Sequence, residues 1–268
     1  MMDKDNLETQ TLTDRGDIPP GFPAGSLIRS VDLGAQGAFG LLVVQANGLE
    51  ETDRAKLAQM ALEWASKEKP EEIGLSSCPE SILIPLYGSQ VIWTARRGAV
   101  IADTGKLDQL ADTLADFACC ESRLRTLEKR GFHLLGTVER DAALSFTALE
   151  TESRGSRRDI EIRHLESVAI RGELEKIAPS IFAPLIYPPT AGSQLAERLR
   201  DRTRLCDRHE LASSRADFAL TIYDSCGQRA FDAATARQHT GLEWAIIVIL
   251  LCQMALMLVE VLALRAKT

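Results

Sequence analysis

Asp108, Asp112 and Asp116 stand at i, i+4 and i+8. On a helix this spacing stacks three carboxylates in one column, where they repel unless a divalent cation or a basic partner screens them. Oxygen-rich metal sites draw ligands from more than one element, so the column reads as a solvated or docking face and no metal is expected. The vicinal thiols Cys119 and Cys120 would suit redox chemistry or a soft metal. They sit, however, in the apolar-rich stretch LADTLADFACCESRL, where a helix face uses a cysteine as a packing residue. His133, His164, His209 and His239 form neither an HExxH nor an H-x3-H pattern. Gly34, Gly37 and Gly40 give GxxGxxG, which is neither the dinucleotide fingerprint nor a P-loop; lying between two strand-like runs, they read as a turn. With Gly-x-Ser-x-Gly also absent, no enzyme, catalytic residue, cofactor or small-molecule substrate is expected.

Two arginine groups could bind anions. Arg154, Arg157, Arg158 and Arg163 are set among Glu150, Glu152, Asp159, Glu161 and Glu166. RNA or ribosome contact there needs the arginines on one face and the acids turned away. Arg200, Arg204 and Arg208 again fall at i, i+4 and i+8, interleaved with Glu197, Asp201 and Asp207. That is the pattern of an exposed helix laced with ion pairs; its sharper version is an arginine ridge that grips anionic lipid or a partner.

The elements that must position these residues fall into four stretches. The chain has 268 residues and a formal charge of −7, which excludes a protein that coats nucleic acid by a general basic footprint. Residues 1–24 are a polar leader ending in PPGFP, read as disordered or extended. Residues 25–150 alternate strand-like runs at 26–33, 38–46, 80–88, 89–95, 98–102, 132–138 and 142–149 with amphipathic helices at 51–68 and 105–130. The expected fold class is α+β, a layered domain. The runs at 89–95 and 98–102, separated by Arg96-Arg97, predict a hairpin. Residues 151–241 read as a helical region and juxtamembrane stalk. It contains a helix over 160–177, a proline-rich break, and a long helix from an N-cap at Ser193. Leu195, Leu199, Cys206, Ala216, Leu220, Tyr223, Ala230 and Ala234 give that helix a seam of coiled-coil spacing, interrupted by small residues, with Gly227 as a point of breakage.

The fourth stretch, 242–264, explains a mean hydropathy of only −0.06: it averages a soluble sequence with an apolar tail. Trp244–Leu264 reads WAIIVILLCQMALMLVEVLAL, and at 1.5 Å per residue it spans roughly 31 Å, the thickness of a bilayer core. Trp244 serves as interfacial anchor, Gln253 as the candidate interhelical contact near the midplane, and Glu260 reaches back toward the interface. Arg229 and Arg237 on one flank balance Arg265 and Lys267 on the other, so flanking charge leaves orientation open. The acidic N-terminus has no apolar signal region, and the six cysteines, with no CxxC spacing and Cys252 inside the span, fit a reducing compartment. The expected topology is a tail-anchored, single-pass protein with its N-terminus cytoplasmic.

Arg208, Glu210, Leu211, Arg215 and Asp217 form R-x-E-L-x-x-x-R-x-D, and Leu242-Glu243-Trp244 is followed by IIVIL. Together they resemble the C-terminal end of the required-for-meiotic-nuclear-division family, a domain of unknown function whose members end in two helices and an L-E-W-x-I-x-I-L membrane helix. GAVIADTGKLDQLADTLADF is faintly similar to that family's strand and following helix. The chain departs from the family in lacking its Asp-Phe-Phe-Trp segment and in carrying Gln253 or Met254 where an acidic residue often stands. The resemblance implies an oligomeric, non-enzymatic inner-membrane protein, with mitochondrial members that support translation near the ribosome. It brings no catalytic residues.

These readings lead to one expectation: a membrane scaffold or assembly protein that forms homo-oligomers and recruits a soluble partner to the cytoplasmic face. The alternative is a single-span accessory subunit of a larger integral-membrane complex, such as an energy-transducing one.

Overall fold

A computed structural model describes residues 13–14, 18–67, 81–147, 154–184 and 187–265. The chain divides into two compact units, one built from 1–133 and 169–216 and the other from 134–168 and 217–268. The architecture is α+β, as the sequence predicts.

The first unit contains a mixed sheet of order β1-β2-β3-β6-β5-β4. Its strands are β1 (Thr13–Asp14), β2 (Leu27–Asp32), β3 (Ala38–Gln45), β4 (Ile82–Leu86), β5 (Ser89–Trp93) and β6 (Arg97–Ala102). All neighbours are antiparallel except β3 and β6, whose parallel pairing sets Leu42 beside Ala99 and Val44 beside Ile101. The apolar runs GLLVV and GAVIA do not alternate with polar residues because both faces of the sheet are covered. On one face Leu42, Val44, Ile92, Ala99 and Ile101 pack against Leu57, Ala58, Ala61 and Ala65 of helix α1 (Glu51–Ser66). Phe22, from the end of the polar leader, joins this cluster. The opposite face carries Trp93, whose ring meets that of Phe117 edge-on at 5.5 Å, and Gly98. A Cβ on Gly98 would lie 2.9 Å from Leu114 and 2.8 Å from Phe39, so only glycine lets helix α2 (Thr104–Thr147) approach this strand. Arg54 of α1 ties the sheet's ends together, donating to the carbonyls of Leu49, Ala46 and Gly88 and pairing with Asp103 at 3.0 Å.

The hairpin over 89–102 forms, closed by Thr94, which exchanges backbone and hydroxyl hydrogen bonds with Arg97. The β4–β5 turn uses Tyr87 and Gly88, with φ of 46° and 80°. Positive φ at both central residues is the twist that a two-residue hairpin requires.

Several expectations are corrected. The strands at 132–138 and 142–149 do not exist: residues through Thr147 continue α2, and 148–149 lie outside the described residues. Buried Leu124, Leu127, Leu134 and Val138 repeat at helical intervals across the point where a strand was expected, so one face stays apolar. Helix α3 (Arg154–Ile181) runs beyond 177 and carries Pro179 in its last turn. The helix expected from Ser193 is two helices, α4 (Ala191–Thr203) and α5 (Leu205–Arg265). Thr190 is the N-cap of α4; Ser193 is the third helical residue, and its hydroxyl completes a reciprocal capping box with Thr190. Gly227 does not interrupt α5.

Candidate functional site

Within α5, Gln238–Met257 is a 20-residue stretch of mean hydropathy 1.9, none of it buried. It is the one helix among the described residues long and apolar enough to cross a membrane. Nearer its start α5 behaves differently: Ala212, Ala216, Ala219, Tyr223 and Cys226 are buried at alternating spacings of four and three, the stripe of a helix with packing neighbours. Leu220 and Cys206 of the expected seam are half-buried, and the side chains of Ala230 and Ala234 lie outside the described residues. Cys226 is the last residue of the stripe among the described side chains. Trp244 is 63% exposed, and Gln253 is exposed as the polar interruption among apolar neighbours. Glu260 lies on the helix beyond Met257, with its side chain, like that of Arg265, outside the described residues; Lys267 lies outside them altogether.

The three arginines at 200, 204 and 208 do not form one column. Arg204 adopts left-handed backbone (φ 52°) as the C-cap of α4, and this break destroys the helical phase on which the spacing argument rested. Arg200 turns back to donate to the carbonyls of Ile181 (3.1 Å) and Ala183 (2.6 Å). Arg204 pairs on the surface with Asp207 at 2.9 Å. Arg208 is buried, with 7% of its surface exposed. It grips Glu128 with two parallel hydrogen bonds of 2.9 and 2.6 Å and reaches Glu121 at 3.1 Å. Arg125 also donates to Glu121, at 2.6 Å. The cluster balances two guanidiniums against two carboxylates, the arrangement that makes burial of Glu121, Arg125 and Arg208 beside half-buried Glu128 tolerable. Sequence reasoning missed Glu121, Arg125 and Glu128. The available signal was charge at i, i+4 and i+7 inside the apolar face that contains Leu124.

The aspartate column finds a basic partner: Arg29 of β2 sits 3.1 Å from Asp108 and 3.9 Å from Asp112. Burial, and next the Asp112 charge, raise the Asp116 carboxyl above the ordinary carboxylate value. Among the described residues no group of three or more His, Cys, Asp or Glu side chains is placed to hold a metal ion. Cys120 has its thiol pushed up to about 11, first by burial and then by Glu121, the opposite of a redox-active thiolate. Burial also raises the Cys206 thiol; Cys78 lies outside the described residues. Of the histidines, His133 and His239 are exposed. His164 lies 2.9 Å from Asp224, and buried His209 donates to the Leu174 carbonyl at 3.0 Å.

Of the other arginine group, Arg158 is exposed, and the side chains of Arg154 and Arg157 lie outside the described residues. Arg163 is tied to Asp141, a fully buried carboxylate in the second unit that also accepts a 2.9 Å hydrogen bond from the Tyr223 hydroxyl. Burial foremost, with the Asp141 bond adding to it, pushes the Tyr223 phenol up to about 12. The neutral phenol is the form the fold favours, so its stabilising bond is present below the unfolded value of about 10 and is lost as pH rises through 12. A spectrophotometric titration should therefore show Tyr223 ionising about two units above an ordinary phenol. Its ionisation at the ordinary phenol value would remove the Asp141 link.

No family model and no curated protein matches the chain, so its resemblance to the required-for-meiotic-nuclear-division family stands on the quoted residues alone.

Proposed function

We propose that this protein is a membrane-anchored, non-enzymatic scaffold or assembly factor. The helix Gln238–Met257 holds it in the inner membrane, its folded units lie on the cytoplasmic side, and it self-associates to recruit a soluble partner. The observation that carries the reading is the complete exposure of that apolar stretch, on a helix whose earlier turns are packed. So much contiguous apolar surface requires a non-aqueous environment. The thiols of Cys120, Cys206 and Cys226, which form no disulfide among the described residues, suit a reducing compartment. Two features favour association. Gln253 offers a side-chain amide within hydrocarbon, where a second helix would satisfy it, and α3 exposes Ile162, Leu165 and Val168 in the second unit.

The test is purification of the full chain in mild detergent, with light scattering for mass and mass spectrometry for companions. A defined homo-oligomer free of other membrane chains is the expected result. A fixed set of unrelated integral-membrane chains would favour the accessory-subunit reading, and a companionless monomer would overturn both. Ribosomal proteins in the purified material would extend the family resemblance to function.

A further inference from the structure

A second feature belongs to the first unit and rests on none of the observations made of the apolar helix. Within the first unit, α2, the end of α3 and one face of α4 line an open cavity of about 410 Å³, a size that accepts a small organic molecule. Its charge is lopsided. Arg123 of α2, Lys176 of α3 and Arg200 of α4 line it, against the single carboxylate of Asp116. Among the described residues Arg123 and Lys176 have no ion-pair or hydrogen-bond partner. The guanidinium of Arg200 is held in place through Nη1 by the carbonyls of Ile181 and Ala183, with its remaining donors available. Arg123 and Arg200 come from different helices and line the same cavity, each beside Cys120. Between these cations the wall is apolar, with Phe117, Ile177 and Leu205 largely buried. The first turn of α4, represented by Ser193, adds the positive end of a helix dipole.

We propose that this cavity binds a small organic phosphate as a ligand, its phosphoryl oxygens held by Arg123, Lys176 and Arg200 and its apolar body laid on Phe117 and Ile177. Three cations against one carboxylate leave an excess of two positive charges, which matches a phosphomonoester dianion better than a carboxylate. Planar guanidiniums on two sides suit its oxygens by bidentate contact, and the lysine serves as a point charge.

The test uses the full chain in mild detergent with phenyl phosphate as the soluble probe, a short-chain phosphatidic acid as the lipid-headgroup probe, and benzoate as the monoanionic comparison. Binding is followed by calorimetry and by the alkylation rate of Cys119, which lines the cavity; Cys252, on the apolar helix, is the internal reference. Phenyl phosphate is expected to bind, to protect Cys119 and not Cys252, and to outcompete benzoate. Arg123→Gln and Lys176→Gln should each weaken it about ten-fold, the loss of one charge-assisted hydrogen bond. Both residues are exposed, so the variants should keep the melting temperature of the parent chain. Protection by the phosphatidic acid alone would assign the same site to a lipid headgroup. No protection by either phosphate, equal binding of benzoate, or affinity unchanged in both variants would overturn the proposal.

Discussion

Arg208→Leu should destabilise the sheet-bearing unit by about 3 kcal/mol, because it strips half-buried Glu128 of its cation and leaves buried Glu121 with Arg125 alone. Glu121 is 2% exposed and shares its charge between Arg125 and Arg208; Glu128 relies on Arg208 for both of its short hydrogen bonds. Removing Arg208 turns a balanced cluster into one with an excess negative charge, beside Glu121, where water cannot compensate. Domain stabilities are only about 5–15 kcal/mol, so the variant should sit near the edge of folding. Urea unfolding of the full chain in detergent, followed by circular dichroism, measures the loss. Arg208→Lys should fall between variant and parent, since an ammonium keeps the charge and loses the two-pronged grip on Glu128. If Arg208 belonged to an exposed ridge, the leucine variant would cost no more than about 0.5 kcal/mol; that result would place the residue outside the core.

The same residue shows what the sequence could and could not reveal. The spacing of Arg200, Arg204 and Arg208 was read on an unbroken helix. The break falls at Arg204, where a non-glycine residue takes left-handed backbone without a local glycine or proline to announce it. Once the phase is lost there, counting by fours places Arg208 on the wrong face. Glu121 and Glu128 were hidden differently. Their partner lies some 80 positions away in the chain, and local periodicity carries no such pairing. The strands β3 and β6 were legible because burial on both faces leaves continuous runs such as GLLVV, bounded by turn residues. FHLLGTV looked similar and is helical, since a short apolar run fits either period; only Leu124, Leu127, Leu134 and Val138 taken together choose between them. The apolar end of α5 was the easiest part to read, because length and composition suffice for it. The three-helix cavity was invisible for the converse reason: Arg123, Lys176 and Arg200 share no spacing pattern and meet only through the packing of α2, α3 and α4.

A paired substitution at the centre of the apolar stretch, Leu251→Arg with Met254→Arg, should release the protein from the membrane. Each arginine at mid-bilayer costs about 2.5–3.5 kcal/mol on the insertion scale. The pair therefore shifts the partition between membrane and solution by about four orders of magnitude. Both side chains are exposed in the fold, at 54% and 60%, so the change removes no packing contact and the folded units should be unaffected. That separation distinguishes a membrane span from a core helix, in which two buried arginines would unfold the protein as well. Alkaline extraction of membranes reads the first effect: the parent chain should remain with the bilayer and the double variant should enter the soluble fraction. The delayed ionisation of Tyr223 reads the second, because it persists only while Asp141 and Tyr223 stay together in the folded second unit. A parent chain extracted as readily as the variant would refute membrane anchoring. A variant that stays in the membrane would show that Gln238–Met257 is not what holds the protein there.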